Sequence, residues 1–204
     1  ISTTLSGAIE YAHIKMPLGK VLGDAHHLLD DIAKNKTGRD AIAVRVWKPG
    51  GQHLQWAMPW KQALDDQGQV VVDQLALDFQ KDQQETPFSN SFFFHVEERF
   101  ISLQSENEQG ELSLDDSFSK EVMIQLIAAE YLNSGVVTKE NKLTLKQAIA
   151  RIEPMLSQCF SVKRTPPDFI KNTPEVFEET QQLNIKALQF IRFLAQKGVE
   201  NGKA

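Results

Sequence analysis

The segment AIAVRVWKPGGQHLQWAM, residues 41–58, carries the strongest fold signal in the chain. Its two halves are rich in β-branched and aromatic residues, and Pro49-Gly50-Gly51 between them is a typical turn sequence. The segment therefore predicts a β-hairpin. Because side chains alternate across a strand, Arg45 and Trp47 share one face, opposite the valines on either side. The valine face is the natural core side, so we expect Arg45 and Trp47 on the more exposed face.

Two later segments extend the strand pattern. Apolar residues recur at alternate positions in QVVVDQLALDFQ, residues 69–80, and three phenylalanines stand together in SNSFFFHVEERFISLQ, residues 89–104. We interpret the second segment as a central strand that is apolar on both faces, followed by an antiparallel neighbour from Arg99 to Leu103. An active-site hypothesis would need His95 and Glu97 on one face of an unbroken strand, whereas a hairpin core is the simpler interpretation. Together with the hairpin, these segments predict an antiparallel sheet over about residues 40–105.

Helical periodicity dominates on both sides of that sheet. Apolar residues at i, i+3, i+4 and i+7 from Leu18 to Ile32 predict an N-terminal helix, while residues 3–16 fit a strand or a short helix equally well. Helices are also predicted in residues 115–134 and 144–154, and a long one from Thr173 to about residue 197. The predicted fold class is therefore α+β, with the sheet flanked by an N-terminal helix and a helical C-terminal half.

The predicted domain organisation has three parts. Residues 1–160 form an α+β domain, residues 161–172 a connector around Pro166-Pro167, and residues 173–204 a long C-terminal helix. That helix either packs on the domain or serves as an interface. Its candidate partner-interface residues are Ile185, Phe190 and Phe193, because Ile185 and Phe193 fall off the main apolar stripe.

Composition limits the classes of protein to consider. The chain has 204 residues and 41% hydrophobic residues, which suits a folded domain. It has no apolar run long enough to span a membrane. The single cysteine, Cys159, excludes an internal disulfide and a cysteine-clustered zinc site. We expect a cytoplasmic protein with no membrane contact. Because the sequence starts at Ile1 rather than Met, it leaves open whether a leader segment was removed.

Charge is unevenly distributed along the chain. Residues 1–63 carry eight Lys/Arg against five Asp/Glu, residues 64–131 three against fifteen, and residues 132–204 eleven against seven. Such asymmetry is a hint about partners, although solvated acidic loops explain it as simply.

The region of residues 34–61 combines cations with all three tryptophans. Cations attract phosphates and exposed indoles stack on unpaired bases, so a single strand or an RNA loop fits this hairpin. A protein partner, or a core with a basic rim, fits it equally. The candidate nucleic-acid or partner-binding residues are Lys36, Arg39, Arg45, Trp47, Lys48, Trp56 and Trp60.

Signals for catalysis are weak. His27 and Asp31 are four residues apart on the predicted helix, a spacing that can share a metal ion, but a solvated polar face explains them as well. Asp73, Asp78 and Lys81 could be assembled into a nuclease-like set. No phosphate-loop, dinucleotide or hydrolase-elbow motif is present, and we assign no catalytic residue, metal or cofactor.

The sequence therefore predicts a non-catalytic intracellular interaction or adaptor protein, a subunit of a larger assembly or a self-associating chain. Nucleic-acid binding through the hairpin is the first alternative. A metal-dependent hydrolase or nuclease is the second.

Overall fold

The computed structural model describes residues 3–78, 88–102, 104–106, 112–114, 119–134 and 142–197. It confirms the α+β class. The chain divides into two compact units: residues 1–71 with 160–180, and residues 72–159 with 181–204. None of the helices in the described ranges combines the length and the apolar character needed to cross a bilayer.

The first unit is built on a three-stranded sheet. Strand β1 runs parallel to β2, which pairs antiparallel with β3, so the predicted hairpin is confirmed. Residues 3–16, which the sequence left undecided, contain the strand β1. The elements in order are β1 (Gly7–Tyr11), α1 (Leu18–His27) continuing as a π-helical segment (Leu28–Lys36), β2 (Ala41–Trp47), β3 (His53–Pro59) and α2 (Trp60–Ala63).

A second, two-stranded sheet completes this unit. It consists of β6 (Phe160–Thr165) and β7 (Val176–Leu183), whose last residues lie in the second unit. The prediction of one long helix from Thr173 is wrong over residues 176–183, and the predicted connector 161–172 contains most of β6. The long helix was predicted from an apolar spacing that includes Val176, Leu183 and Ala187. The first two of these residues belong to β7, and Ala187 belongs to the helix that follows it.

A left-handed turn joins the two parts of the first unit. Gly38, Arg39 and Asp40 have φ values of 84°, 68° and 51°. The backbone N–H of Arg164 donates to the carbonyl of Thr37 at 2.8 Å, and the N–H of Trp60 donates to the carbonyl of Asp40 at 2.9 Å. The turn therefore connects the π-helical segment, the end of β3 and β6 through backbone hydrogen bonds.

Helices dominate the described residues of the second unit. They are α3 (Val71–Asp78), which begins at the boundary, α4 (Asn90–Ser102), α5 (Lys120–Asn133), α6 (Leu145–Ser157) and α7 (Ile185–Lys197), with a short strand pair β4 (Gln104–Glu106) and β5 (Leu112–Leu114). Helix α6 begins at Thr144, as predicted: the Gln147 N–H donates to Thr144 Oγ1 at 3.3 Å and Gln147 Oε1 accepts from the Thr144 N–H at 2.9 Å.

The two segments predicted as further strands are helices, α3 and α4. In α4 the buried side chains are Phe92, Phe93, Val96 and Phe100, which is the spacing of one helical face. Phe94 and His95 point to solvent. The run of three phenylalanines hid the helical period because it looks apolar on both faces of a strand.

The aromatic rings of this segment form a core with α5. The ring centroids of Phe92 and Tyr131 lie 5.6 Å apart in an edge-to-face arrangement, and Phe88 lies 5.6 Å from both. Since His95 and Glu97 are about 200° apart on a helix, the hypothesis that they form an active site on one strand face is wrong. Glu97 instead accepts a hydrogen bond from Gln189 Nε2 of α7.

We predict that Gly38→Ala destabilises the protein far more than Gly50→Ala. Both glycines have positive φ, so each alanine costs about 1–2 kcal/mol for the left-handed backbone. A Cβ at residue 38 would also stand 1.8 Å from the Arg164 carbonyl oxygen, whereas a Cβ at residue 50 meets nothing within 4 Å. We expect at least about 2 kcal/mol of additional loss for Gly38→Ala, measured by urea unfolding. Equal losses would contradict the close approach.

Candidate interaction site

The face of the sheet beneath α1 is apolar at one end and polar at the other. Ala8, Ala43 and Ala57 meet the π-helical segment around Leu28 and Ala33. Two residues further along each strand the same face carries Glu10, Arg45 and Gln55, which are aligned across the three strands. The small alanines let the helical segment approach closely, and the polar row lies on the same covered side.

Arg45 is the centre of the polar row. It is only 6% exposed. Its Nε and Nη2 donate to Gln55 Oε1 at 3.2 and 2.6 Å. The expectation that Arg45 faces water is therefore wrong, because α1 covers the side of the hairpin that the alternation suggested was exposed.

Trp47 extends the same network. Its Nε1–H donates to Glu10 Oε1, its ring centroid lies 5.1 Å from that of His53, and Lys20 Nζ lies 4.6 Å from the ring centroid. Trp47 is half-buried, with its N–H engaged and a cation over its ring. These contacts leave little of the indole for stacking on a base.

The carboxyl group of Glu10 is partly desolvated. Its Oε2 and the Oδ2 of Asp24 are shielded from solvent and have no hydrogen-bond partner among the described residues. Burial raises the pKa of Glu10 above its ordinary value, with a smaller contribution from Asp24, against the opposing effects of the Trp47 N–H and the Arg45 charge. Glu10 is therefore a carboxyl group for which the folded protein favours the protonated form.

The remaining predicted binding residues fall into two groups. Trp56 is 1% exposed and belongs to the core, so its predicted accessibility is also wrong. Trp60 is half-buried and its Nε1–H donates to the Leu5 carbonyl at 2.8 Å. Lys36 and Arg39 are exposed and Lys48 is half-buried. The structure thus buries Trp56 and engages the indole N–H of Trp60, while Lys36 and Arg39 remain exposed, and a binding role for these cations stays a prediction.

The candidate interface of the C-terminal helix is also largely internal. Ile185 and Phe190 are buried and Phe193 is half-buried. Helix α7 packs on α4. Gln196 Nε2 donates to Asn90 Oδ1 at 2.7 Å, beside the Gln189–Glu97 hydrogen bond. The expectation that Ile185 and Phe190 face a partner is contradicted by this burial.

Residues considered for chemistry are dispersed. His27 Nδ1 contacts Asp31 Oδ2, with both side chains more than half exposed. No group of three metal-ligating side chains occurs within the described ranges. Burial raises the pKa of the Cys159 thiol and, separately, of Asp73. Lys81, the third member of the nuclease-like set, lies outside the described residues.

An exposed apolar surface, which the sequence did not predict, surrounds β1. This strand is at the sheet edge, and no other described strand pairs with its outer side. Helix α1 buries none of its own residues between Leu18 and His27, and Leu18 is 70% exposed. The helical spacing places Leu18 and Leu22 in one apolar stripe with Val21 and Ala25, but the helix turns only the Val21 and Ala25 side inward. We call this the edge surface: Leu5, Ile9, Tyr11, Ile14, Leu18 and Leu22.

The fold and this site define an α+β protein in which the described strands leave one edge of the three-stranded sheet unpaired and residues 5–22 expose six large apolar side chains. Residues 1–43 of the chain match the family model of the Cas10/Cmr2 second palm domain. The matched part contains β1, α1, the π-helical segment and the first residues of β2, and therefore the whole edge surface. No curated protein matches the chain. The match indicates similarity to a subunit of a multisubunit complex.

We predict that Glu10→Gln removes a pH-dependent part of the stability. Because the pKa of Glu10 is raised in the folded state, its contribution to stability is fully present below the ordinary value of 4.5 and is lost as pH rises through the raised value. The glutamine retains an acceptor for the Trp47 N–H. Relative to the variant, the wild-type protein should lose stability between pH 4 and 7. This loss in the free energy of unfolding should not exceed about 1 kcal/mol, because Glu10 remains partly hydrated. Urea unfolding at several pH values measures this, and parallel profiles would contradict it.

We further predict that Arg45→Ala acts on folding. Removing a buried cation leaves Gln55 Oε1 without this donor and Glu10 without a nearby positive charge, which we expect to cost about 2–4 kcal/mol. Lys36→Ala, at an exposed site in the same basic region, should change stability by less than about 0.5 kcal/mol. Thermal unfolding of both variants measures the contrast. Equal stability of the two would mean that Arg45 is exposed in solution.

Proposed function

We propose that the chain is an interaction subunit of a CRISPR-associated assembly related to Cas10/Cmr2, and that the edge surface is its main contact. The supporting observation is that the exposed apolar residues and the match to the palm domain fall in the same segment of the chain. Residues 5–22 contain six of the fourteen large hydrophobic residues that are exposed among the described residues, and all six lie within the segment that matches the palm domain. A concentration of exposed apolar residues in one segment is typical of a protein–protein interface.

The unpaired edge of β1 supports the same proposal. An edge strand presents unpaired N–H and C=O groups, and adding a strand from another polypeptide is a common mode of recognition. Ile9 and Tyr11 are two residues apart and both exposed, so they project on one side of the strand. A partner strand would pair with the backbone and cover these side chains together.

The charged groups of the polar row support a role in binding rather than catalysis. Glu10, Arg45 and Trp47 are engaged with one another or with Gln55, beneath α1. Groups that are committed in this way stabilise the sheet and do not face a substrate. In this proposal the chain works in the cytoplasm and acts through contacts within the assembly.

Contact with RNA is the second candidate function. CRISPR effector complexes hold a guide RNA in positively charged channels. Lys36 and Arg39 are exposed cations next to the left-handed turn, which makes them the candidates for phosphate contact once Arg45 and Trp56 are excluded by burial. Such a contact would be sequence-independent and sensitive to salt.

The test is co-purification of the tagged chain from the cells that produce it. The wild-type chain should retain other CRISPR-associated polypeptides, whereas Tyr11→Glu combined with Leu22→Glu should reduce their recovery at least tenfold, because two charges would be buried at the contact. Leu126→Glu, at a similarly exposed leucine of α5, is the matched control and should retain them. Recovery of no CRISPR-associated polypeptide, or equal recovery with all variants, would refute the proposal.

The same preparation tests the second candidate. Lys36→Ala with Arg39→Ala should lower the amount of RNA retained while leaving the polypeptides in place. Unchanged RNA with this variant would exclude these two residues as a phosphate contact.

A further inference from the structure

The loop between β6 and β7 holds two adjacent apolar side chains in water. Phe169 is 75% exposed and Ile170 is 97% exposed, so neither side chain packs on the rest of the protein. Single exposed hydrophobic residues are common on protein surfaces. An aromatic and an aliphatic residue side by side at the tip of one loop form a projecting pair. We call residues 166–175 the Phe169 loop.

Hydrogen bonds within the Phe169 loop fix the position of this pair. The backbones of Asp168 and Thr173 exchange two hydrogen bonds, of 3.1 and 3.0 Å. Asp168 Oδ1 also accepts from the backbone N–H groups of Ile170 at 2.9 Å and Lys171 at 3.1 Å. Asn172 completes the turn with a φ of 52°. A backbone that is ordered before binding loses less conformational entropy when its side chains bind, which favours affinity.

The charge around the Phe169 loop indicates what type of partner it would bind. Residues 165–180 contain four acidic residues and one basic residue, Lys171. Glu175 is paired with Arg164, and Asp168 Oδ2 lies 3.9 Å from Lys171 Nζ, so the negative surface beside the loop is that of the exposed Glu178 and Glu179 on β7. A negative surface repels phosphate groups, so nucleic acid and anionic lipid are both disfavoured. A protein pocket with basic residues at its rim is complementary to both the apolar pair and the acidic surround.

We propose that Phe169 and Ile170 insert into an apolar pocket, rimmed by Lys or Arg residues, on a separate polypeptide of the assembly. The inference relies on the proposed function only in requiring that the chain works in an assembly. It concerns a second contact, since the Phe169 loop shares no residue with the edge surface.

A photo-crosslinking residue in the loop identifies the binding partner. Ile170 is replaced by benzoylphenylalanine in the full chain, which is irradiated in the cells that produce it, with Leu145 replaced in the same way as the control at a half-exposed residue of α6. The expected result is a crosslink from residue 170, and not from residue 145, to a Lys/Arg-bordered apolar pocket of one other polypeptide. A crosslink to RNA, to lipid or to a second copy of this chain would overturn the proposal, as would none at all.

Affinity for the crosslinked polypeptide tests the chemistry. Phe169→Ala and Ile170→Ala should each raise the Kd at least about tenfold, while Leu145→Ala leaves it unchanged. Glu178→Lys should weaken binding and Lys171→Glu should strengthen it, because the pocket rim is basic. The four substituted residues of the loop and β7 are all exposed, so thermal unfolding of these variants should match that of the wild type. Unchanged Kd values, or charge effects of the opposite sign, would overturn the proposal.

The two proposals fail in different ways. If the edge-surface variant loses the CRISPR-associated polypeptides but residue 170 forms no crosslink, only the proposal for the Phe169 loop is refuted. If residue 170 crosslinks to a pocket of the expected type on a polypeptide unrelated to CRISPR, the loop proposal holds and the proposed assembly is wrong.

Discussion

The first unit depends on the left-handed turn at Gly38, Arg39 and Asp40. Backbone groups of this turn bind β6, which is more than 120 residues away in sequence, and Arg164 Nη1 also donates to the Gly38 carbonyl at 3.4 Å. The Cα of Gly38 lies so near the Arg164 backbone that only a hydrogen atom fits in place of a side chain. Closing so long a loop costs chain entropy, so the contacts at this junction must offset it. Three consecutive positive φ values, two of them at residues other than glycine, are tolerated because the surrounding hydrogen bonds fix them.

The polar row of the sheet has a related role. A one-residue shift of β1 against β2 would move Glu10 away from Arg45 and place its carboxyl group on the opposite face. The contacts of Arg45 with Gln55 and of Trp47 with Glu10 therefore favour a single register of the three strands. This use of the charged hairpin residues explains why the hairpin is a poor candidate for stacking on bases, although its composition is typical of such a surface.

Local signals in the sequence predicted the elements that are themselves governed by local interactions. The turn glycines at residues 50 and 51 identified the β2–β3 hairpin, and Thr144 marked the start of α6. Helix α4 was missed because Phe92, Phe93 and Phe94 are consecutive, and the period became visible only once burial distinguished Phe94 from the other two. Strand β7 was missed because its pairing with β6 is not encoded in its own residues.

The candidate sites were harder to predict because they depend on what covers each side chain. Alternation correctly placed Arg45 and Trp47 on one face, but it could not tell that α1 lies over that face. The exposure of Leu18 and Leu22 could not be predicted for the same reason, since periodicity gives the direction of a side chain but not its neighbours. Phe169 and Ile170 follow Pro166-Pro167, a pair that suggested only a connector. One signal was available: two adjacent apolar residues in a short loop with Asp168 and Asn172 are unusual unless the loop is ordered.

An uncovered apolar sheet edge is a liability, and proteins normally protect it with charges, proline or a covering segment. Strand β1 has little of this protection: Glu10 points beneath α1, and the side chains that remain outward are Ile9 and Tyr11. The apolar face of α1 beside it is also exposed. A partner strand that paired with the outer side of β1 would meet the exposed Ile9 and Tyr11 side chains. Under the proposed function, a partner in the assembly would supply the protection that β1 lacks among the described residues.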